Sequence, residues 1–170
     1  MELWILGAGG YGKTVADVAR QLGSFDRVAF LDDGKTGPDI LGKCQDYVAL
    51  YHENVMIYPA FGDNARRMEW LERLTAEKIP VPTLVHPTAY VSPTAQLGEG
   101  TVVLPKAVVN TGVQVGRGCI VNIGALIDHD TVIGDGTHLA PGAIVKAENS
   151  IAAGSKINSG EVVENRQYPL

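Results

Sequence analysis

The chain has four histidines, His52, His86, His129 and His138, and only His129 is bracketed by carboxylates, Asp128 and Asp130. Imidazole is the one side chain that ordinarily titrates near neutrality, so it suits the removal of a proton from a nucleophile. A carboxylate beside it can fix its tautomer and stabilise the imidazolium as it forms. His129 is therefore a candidate general base and Asp130 its candidate orienter; a solvated histidine flanked by acids is the bland alternative. His138 follows nine residues later. His86, in LVHPTA, reads as structural, and His52, in YHEN, as a surface residue. A zinc centre would need three converging imidazoles. His129 and His138 fall on different faces of the repeat described below, so no metal is expected. Cys44 and Cys119 are too few for a disulfide scaffold or a cysteine-based zinc site.

The other residues with chemistry in their spacing lie near the start. Gly7, Gly9 and Gly12 satisfy G-x-G-x-x-G within GAGGYGK, directly after the apolar run Leu3–Leu6 and before a helix-period segment, residues 14–21. A helix N-terminus beneath such a loop suits a phosphate or pyrophosphate; close helix–sheet packing is the alternative that needs no ligand. Asp32 lies twenty residues after Gly12, in Asp32-Asp33-Gly34-Lys35. Asp32 or Asp33 can accept hydrogen bonds from ribose hydroxyls or a base, and Lys35 can offset phosphate charge; a polar turn is the alternative.

Two kinds of element must position these groups. Residues 1–84 read as an α/β unit. Strands are expected at 3–6, 28–31 and 55–58, with helices at 14–21 and 64–77, giving a Rossmann-like half sheet with a crevice at its strand C-termini. The second half needed for a full dinucleotide site is missing. From Val85 to Val163 every sixth residue is Val, Leu or Ile, and a small or compact residue such as Ala89, Ala107 or Ala125 follows four positions later. Fourteen such hits by chance are on the order of one in 10^8, and internal self-similarity of this kind outranks local propensity. A six-residue period fits neither a helix nor a hairpin array. It fits a prism of short strands whose coils stack at about 4.8 Å and bury one another's aliphatic rows. Residues 85–170 are assigned to it.

Composition bounds the function. The chain has 170 residues, 45% of them hydrophobic, and carries 14 Lys and Arg against 19 Asp and Glu, a net charge of −5. A nucleic-acid binder would carry the opposite sign. No apolar run approaches the roughly 18–20 residues that span a bilayer, and MELWILGAGG has no basic leader region. The expectation is a cytoplasmic protein without nucleic-acid binding or membrane insertion.

The segments GAGGYGK, LDDGK, FGDNARR, LVHPTAYVSPTA and VNIGALIDHDTVIGDGTHLAPGA, set in the hexad array, resemble one bacterial group, the sialic-acid O-acetyltransferases and UDP-4-amino-sugar N-acetyltransferases. These couple a Rossmann-like domain to a left-handed parallel β-helix of three strands per 18-residue coil. The resemblance implies a homotrimer with active sites between adjacent β-helices, acetyl-CoA as acyl donor, and a nucleotide-sugar acceptor held by the N-terminal domain. It implies that His129 is the base and Asp130 its partner. His138 would contact the donor, and Asn122 would lie near the active site, although Asn122 equally suits a plain corner. The positions matching the nucleotide site are Gly7, Gly9, Gly10, Tyr11, Gly12, Asp32, Asp33 and Lys35, with Asp63, Asn64 and Arg66 beside them.

Three departures stand out. Tyr11 occupies a place where the family usually carries a histidine thought to contact the nucleotide sugar. After LAPGA, one 18-residue coil looks absent, which would shorten the donor groove while preserving the stacking register. The chain ends NRQYPL, and Glu161 breaks the small-residue pattern. The expected activity is acetyl transfer to the amino group of a nucleotide-linked sugar. The alternatives are O-acetylation by the same residues, or a trimeric nucleotide-binding scaffold that has lost part of its donor groove.

Overall fold

In the computed structural model, which describes residues 1–169, the chain divides into two compact units, Met1–Pro82 and Thr83–Leu170. In the first, β1 (Glu2–Leu6) is wholly buried from Leu3 to Leu6. An unbroken apolar run suits a strand covered on both faces. β1 pairs in parallel register with β2 (Arg27–Leu31), Leu6 against Leu31, and with β4 (Val55–Pro59), Leu6 against Pro59. With β3 spanning Ile40–Gly42, the sheet order is β3-β2-β1-β4, so the strand order reverses between β1 and β4, where an open sheet forms its ligand crevice.

The edge strand β3 (Ile40–Gly42) and the short helix α2 (Tyr47–Leu50) have no counterpart in the sequence reading. Three and four residues are too few to show a period. The two longer helices run α1 (Gly10–Leu22) and α3 (Asn64–Ala76). Helix α1 starts four residues earlier than the apolar spacing indicated, because its first turn is made of the glycine loop itself. It buries Val15, Ala16, Val18 and Ala19 and ends on Gly23 in the left-handed conformation.

Gly12 shows why the loop needs glycine at its third position. A Cβ there would sit 1.9 Å from the Gly7 carbonyl oxygen. Backbone against backbone cannot yield as a flexible side chain can, so the close helix–sheet packing reading holds for this residue.

The second unit is a left-handed parallel β-helix. Its two-residue strands fall into three parallel sheets of five, five and four, and each residue pairs with those 18 positions away, as Ile127 does with Val109 and Val145. The second residue of each strand points inward, and the hexad aliphatics from Val103 to Val145 are essentially inaccessible. The compact residues expected between them are buried from Thr101 to Asn149, polar ones included. Thr101 Oγ1 donates to the Gly116 carbonyl at 2.7 Å and accepts from the Cys119 amide at 3.0 Å. Asn149 Nδ2 donates to the carbonyls of Lys146 and Glu164, both at 2.8 Å. Paired in this way, a polar group inside the prism avoids the desolvation penalty.

Replacing Gly12 by Ala is expected to destabilise the first unit by about 1–3 kcal/mol, the range for a forced misfit in a packed interior. Amide exchange of the full chain should show faster opening of β1 and β2, with protection in the β-helix unchanged. Unaltered exchange in the sheet would contradict the contact.

Candidate active site

The crevice at the C-terminal ends of β1, β2 and β4 encloses about 470 Å³. Gly7, Gly9, Gly10 and Tyr11 form one wall, Asp32 and Asp33 another, and Phe61 and Arg66 a third. Gly9 caps α1 without any side-chain bond, and no acidic residue stands in the first turn. No side chain of the helix itself neutralises the positive end of α1, a setting that favours an anion.

Asp32 spends both carboxylate oxygens on backbone. Oδ2 accepts from the Ala8 amide at 2.7 Å, and Oδ1 accepts from Gly34 at 3.0 Å and Lys35 at 2.8 Å. Burial alone would raise the carboxyl, but these three amides outweigh it and hold Asp32 below the usual range. Lys35 Nζ donates to the Ala8 carbonyl at 2.7 Å and lines an adjoining hollow, not the crevice. Asp32 and Lys35 thus tie the loop after β2 to the glycine loop.

Asp33 accepts from the Cys44 amide at 2.9 Å and pairs with Arg66 Nη2 at 3.4 Å. The Arg66 guanidinium also lies over the Phe61 ring, 4.2 Å from its centroid. Tyr11 and Tyr58 share a hydroxyl–hydroxyl hydrogen bond of 3.0 Å. Three candidate residues do not line the crevice. Gly12 is in the packing contact above, Asp63 caps α3 by accepting from the Arg66 amide at 2.8 Å, and Asn64 Oδ1 accepts from the buried Arg67 at 2.8 Å.

Sequence reasoning missed Phe61 and Cys44 among the wall residues. Phe61 lay in the quoted FGDN segment, where an aromatic after β4 was the available signal. Nothing local marks Cys44, which the fold brings in through the unread β3–α2 segment. Its thiol donates to the Leu31 carbonyl at 3.4 Å and is pushed up to about 11, by burial first and then by Asp33. It is a filler and not a nucleophile.

In the β-helix, the turn after the strand Leu126–Ile127 holds His129 and Asp130. His129 Nδ1 lies 2.9 Å from Asp130 Oδ2, and both side chains are about half exposed. That bond raises the imidazole pKa above its ordinary value, with burial working the other way and the charges of Asp128, Asp130 and Glu148 adding to the rise. The bond leaves Nε2 as the nitrogen for an incoming group. Asp128 does a different job. Its Oδ1 accepts from the His129 amide at 2.8 Å, the main reason its carboxyl is held low, and from Asn110 Nδ2 at 2.9 Å. One coil below Asp130 is Gly112, whose added Cβ would come within 2.5 Å of Asp130 Oδ1. The space that lets Asp130 turn to His129 exists because that position has no side chain.

His138 and Asn122 lie on another face and meet each other. Asn122 Oδ1 accepts from the Ile123 amide at 2.8 Å, which leaves its NH₂ to donate to His138 Nε2 at 3.0 Å. This bond fixes the orientation of the His138 ring against Asn122. Among the described residues no group of three or more His, Cys, Asp or Glu could hold a metal ion, and no helix is long and apolar enough to cross a membrane.

Residues 2–74 match the family described as the PglD N-terminal domain. UDP-N-acetylbacillosamine N-acetyltransferase of Bacillus subtilis (strain 168) is 35% identical over 58% of this chain, which spans 49% of that protein, about half its length. The acetyltransferase domain of PglB from Neisseria gonorrhoeae FA1090 is 32% identical, with a TM-score of 0.85 over 96% of this chain and 91% of that one. The same domain in complex with acetyl coenzyme A gives 31% and 0.83 over 98% and 93%. A mutant of perosamine N-acetyltransferase from Caulobacter crescentus, in complex with CoA and GDP-perosamine, gives 26% and 0.87 over 99% and 90%.

Replacing Asp130 by Asn removes the charged acceptor that raises His129, so the imidazole should titrate at a lower pH. Observing its ring signals across a pH series measures this directly. A midpoint unmoved in D130N would show that the bond does not govern the imidazole.

Proposed function

The chain belongs to the bacterial family of sialic-acid O-acetyltransferases and UDP-4-amino-sugar N-acetyltransferases, and we propose that it moves acetyl from acetyl-CoA to the amino group of a nucleotide-linked sugar, a UDP-4-amino sugar foremost. The observation that carries this reading is the His129–Asp130 hydrogen bond on an exposed corner of the β-helix.

With Nδ1 committed to Asp130, His129 Nε2 takes the proton as the acceptor nitrogen bonds to the thioester carbonyl carbon. Asp130 stabilises the imidazolium that forms. Backbone N–H groups of a corner receive the negative charge on the carbonyl oxygen. The carbon–sulfur bond then breaks, and His129 returns its proton to the departing thiolate, which leaves as CoA. Because the base works unprotonated, activity should rise with pH through the raised midpoint of His129.

In the first unit, the N-terminus of α1 receives the phosphates. Asp33, Arg66 and Phe61 provide a carboxylate, a guanidinium and a ring for the nucleoside. On the β-helix, His138 takes the acyl donor, with Asn122 fixing its ring. Lys156 stands one rung above His138 on the same face, a cation suited to a phosphorylated donor.

We take the active form to be a homotrimer assembled through the β-helices and acting in the cytoplasm. One sheet supports this with an outward column of Tyr90, Val108, Leu126, Ile144 and Val162, apolar at every rung. Tyr90, Leu126 and Val162 are exposed in the single chain. Apolar stripes of this kind mark association surfaces, and Leu126 stands on the strand that delivers His129.

The test is release of CoA thiol from acetyl-CoA by the purified protein with UDP-4-amino sugars, and with hydroxyl analogues for the O-acetyl alternative. His129→Ala should lower turnover by roughly 10²- to 10⁴-fold, the usual contribution of a general base. An unaffected rate would remove His129 from the mechanism. UDP binding without acetyl-CoA binding, read by calorimetry, would favour the scaffold reading instead.

A further inference from the structure

Three corners repeat along the β-helix, and at each corner one residue per coil takes the left-handed conformation. One column is Gly100, Gly118, Gly136 and Gly154; a second is Lys106, Gly124, Gly142 and Gly160. The third, which carries the residue bonded to His129, runs Gly112, Asp130, Glu148 and Arg166, with φ of 71°, 54°, 58° and 52°. A side chain in that conformation is strained relative to glycine. One corner therefore bears three strained, charged residues in consecutive coils.

These residues interact. Arg166 Nε donates to Glu148 Oε2. The Glu148 amide donates to the His129 carbonyl at 3.2 Å, so the coil above rests directly on the histidine. Asp130, Glu148 and Arg166, with Pro169, line a hollow of about 330 Å³. The charged groups facing His129 are Asp128 and Asp130 from its own turn and Glu148 from the coil above. The coil below presents Asn110, Thr111 and Gly112, none of them ionisable.

Two stacked carboxylates beside one imidazole repel each other and compete for it. We propose that Glu148 and Arg166 are positioning residues for the His129–Asp130 pair: Arg166 holds Glu148 and balances its charge, so that Asp130 alone engages the ring. Together they set the pH at which His129 gives up its proton. The inference rests on His129 being the general base proposed above, but its test does not require turnover. Glu148 adds to the rise in the His129 pKa, and its own carboxyl is held low, chiefly by the bond from Arg166. The sign follows: neutralising Glu148 favours the neutral imidazole, and neutralising Arg166 leaves Glu148 unopposed and favours the charged one.

The experiment is the NMR titration of His129 in the full chain without substrates, in the parent protein and in E148Q, R166Q, E148Q/R166Q and R166K, with the H129N spectrum giving the assignment. The midpoint should fall in E148Q and rise in R166Q. It should stay near the E148Q value in the double variant and near the parent value in R166K. E148G guards against a folding artefact, since it relieves the strained corner and should melt no lower than the parent while its midpoint falls as in E148Q. Unmoved midpoints in E148Q and R166Q overturn the proposal. So does an equal rise on R166Q whether or not Glu148 is charged, because Arg166 would then act without Glu148. If the midpoints shift as expected and no acetyl transfer occurs, the catalytic reading fails and the electrostatic one stands. Transfer with unmoved midpoints does the reverse.

Discussion

Everything in the β-helix depends on one register. Each inward aliphatic residue must lie over the one 18 positions before it, as Ile127 lies between Val109 and Val145. Strands of two residues have almost no stability of their own. They persist because each is hydrogen-bonded to the coils on either side and fills the space those coils leave. Once this stacking is set, the corners are set too, and a residue's place in the hexad decides whether it points into the prism, along a face or out at a turn. His129 is exposed beside Asp130 for that reason. A change of chain length by a whole coil leaves every residue on its own face, a change by one hexad moves residues to another face, and a change that is not a multiple of six moves the inward set outward.

The same register gives the corner residues their chemistry. Asp130 sits in a conformation that glycine fills at most other corners, and it reaches His129 because Gly112 below it leaves room. The strain at Asp130 and the absence of a side chain at Gly112 are two parts of one arrangement. Histidines need such fixing, since a freely rotating imidazole between two aspartates would have no preferred nitrogen for an incoming group. His138 is fixed by a different device, an asparagine whose carbonyl oxygen is already occupied by its own turn.

The parts of the molecule legible in the sequence were those carried by a period or by local chemistry. The hexad series marked the aliphatic rows and the compact residues between them, including buried Thr101 and Asn149, whose polar atoms bond across coils. The pairing of His129 with Asp130 could be read because the two are adjacent. What could not be read arises between distant segments. Phe61 follows β4 and Cys44 follows β3, strands at opposite edges of the sheet, and no spacing reports that both reach the crevice. Asp63 caps α3 and Asn64 holds the buried guanidinium of Arg67, bonds made by the fold that the residue types alone did not announce.

The ties made by Asp32 and Lys35 have a consequence for recognition. With three amides on one carboxylate and an ammonium on the Ala8 carbonyl, the two loops that flank the crevice are joined before any ligand arrives. A ligand entering such a crevice need not freeze those loops, so more of its contact energy is expressed as affinity. Selectivity then comes from rejection by a rigid outline, because walls already pinned to each other cannot spread to admit a wider guest.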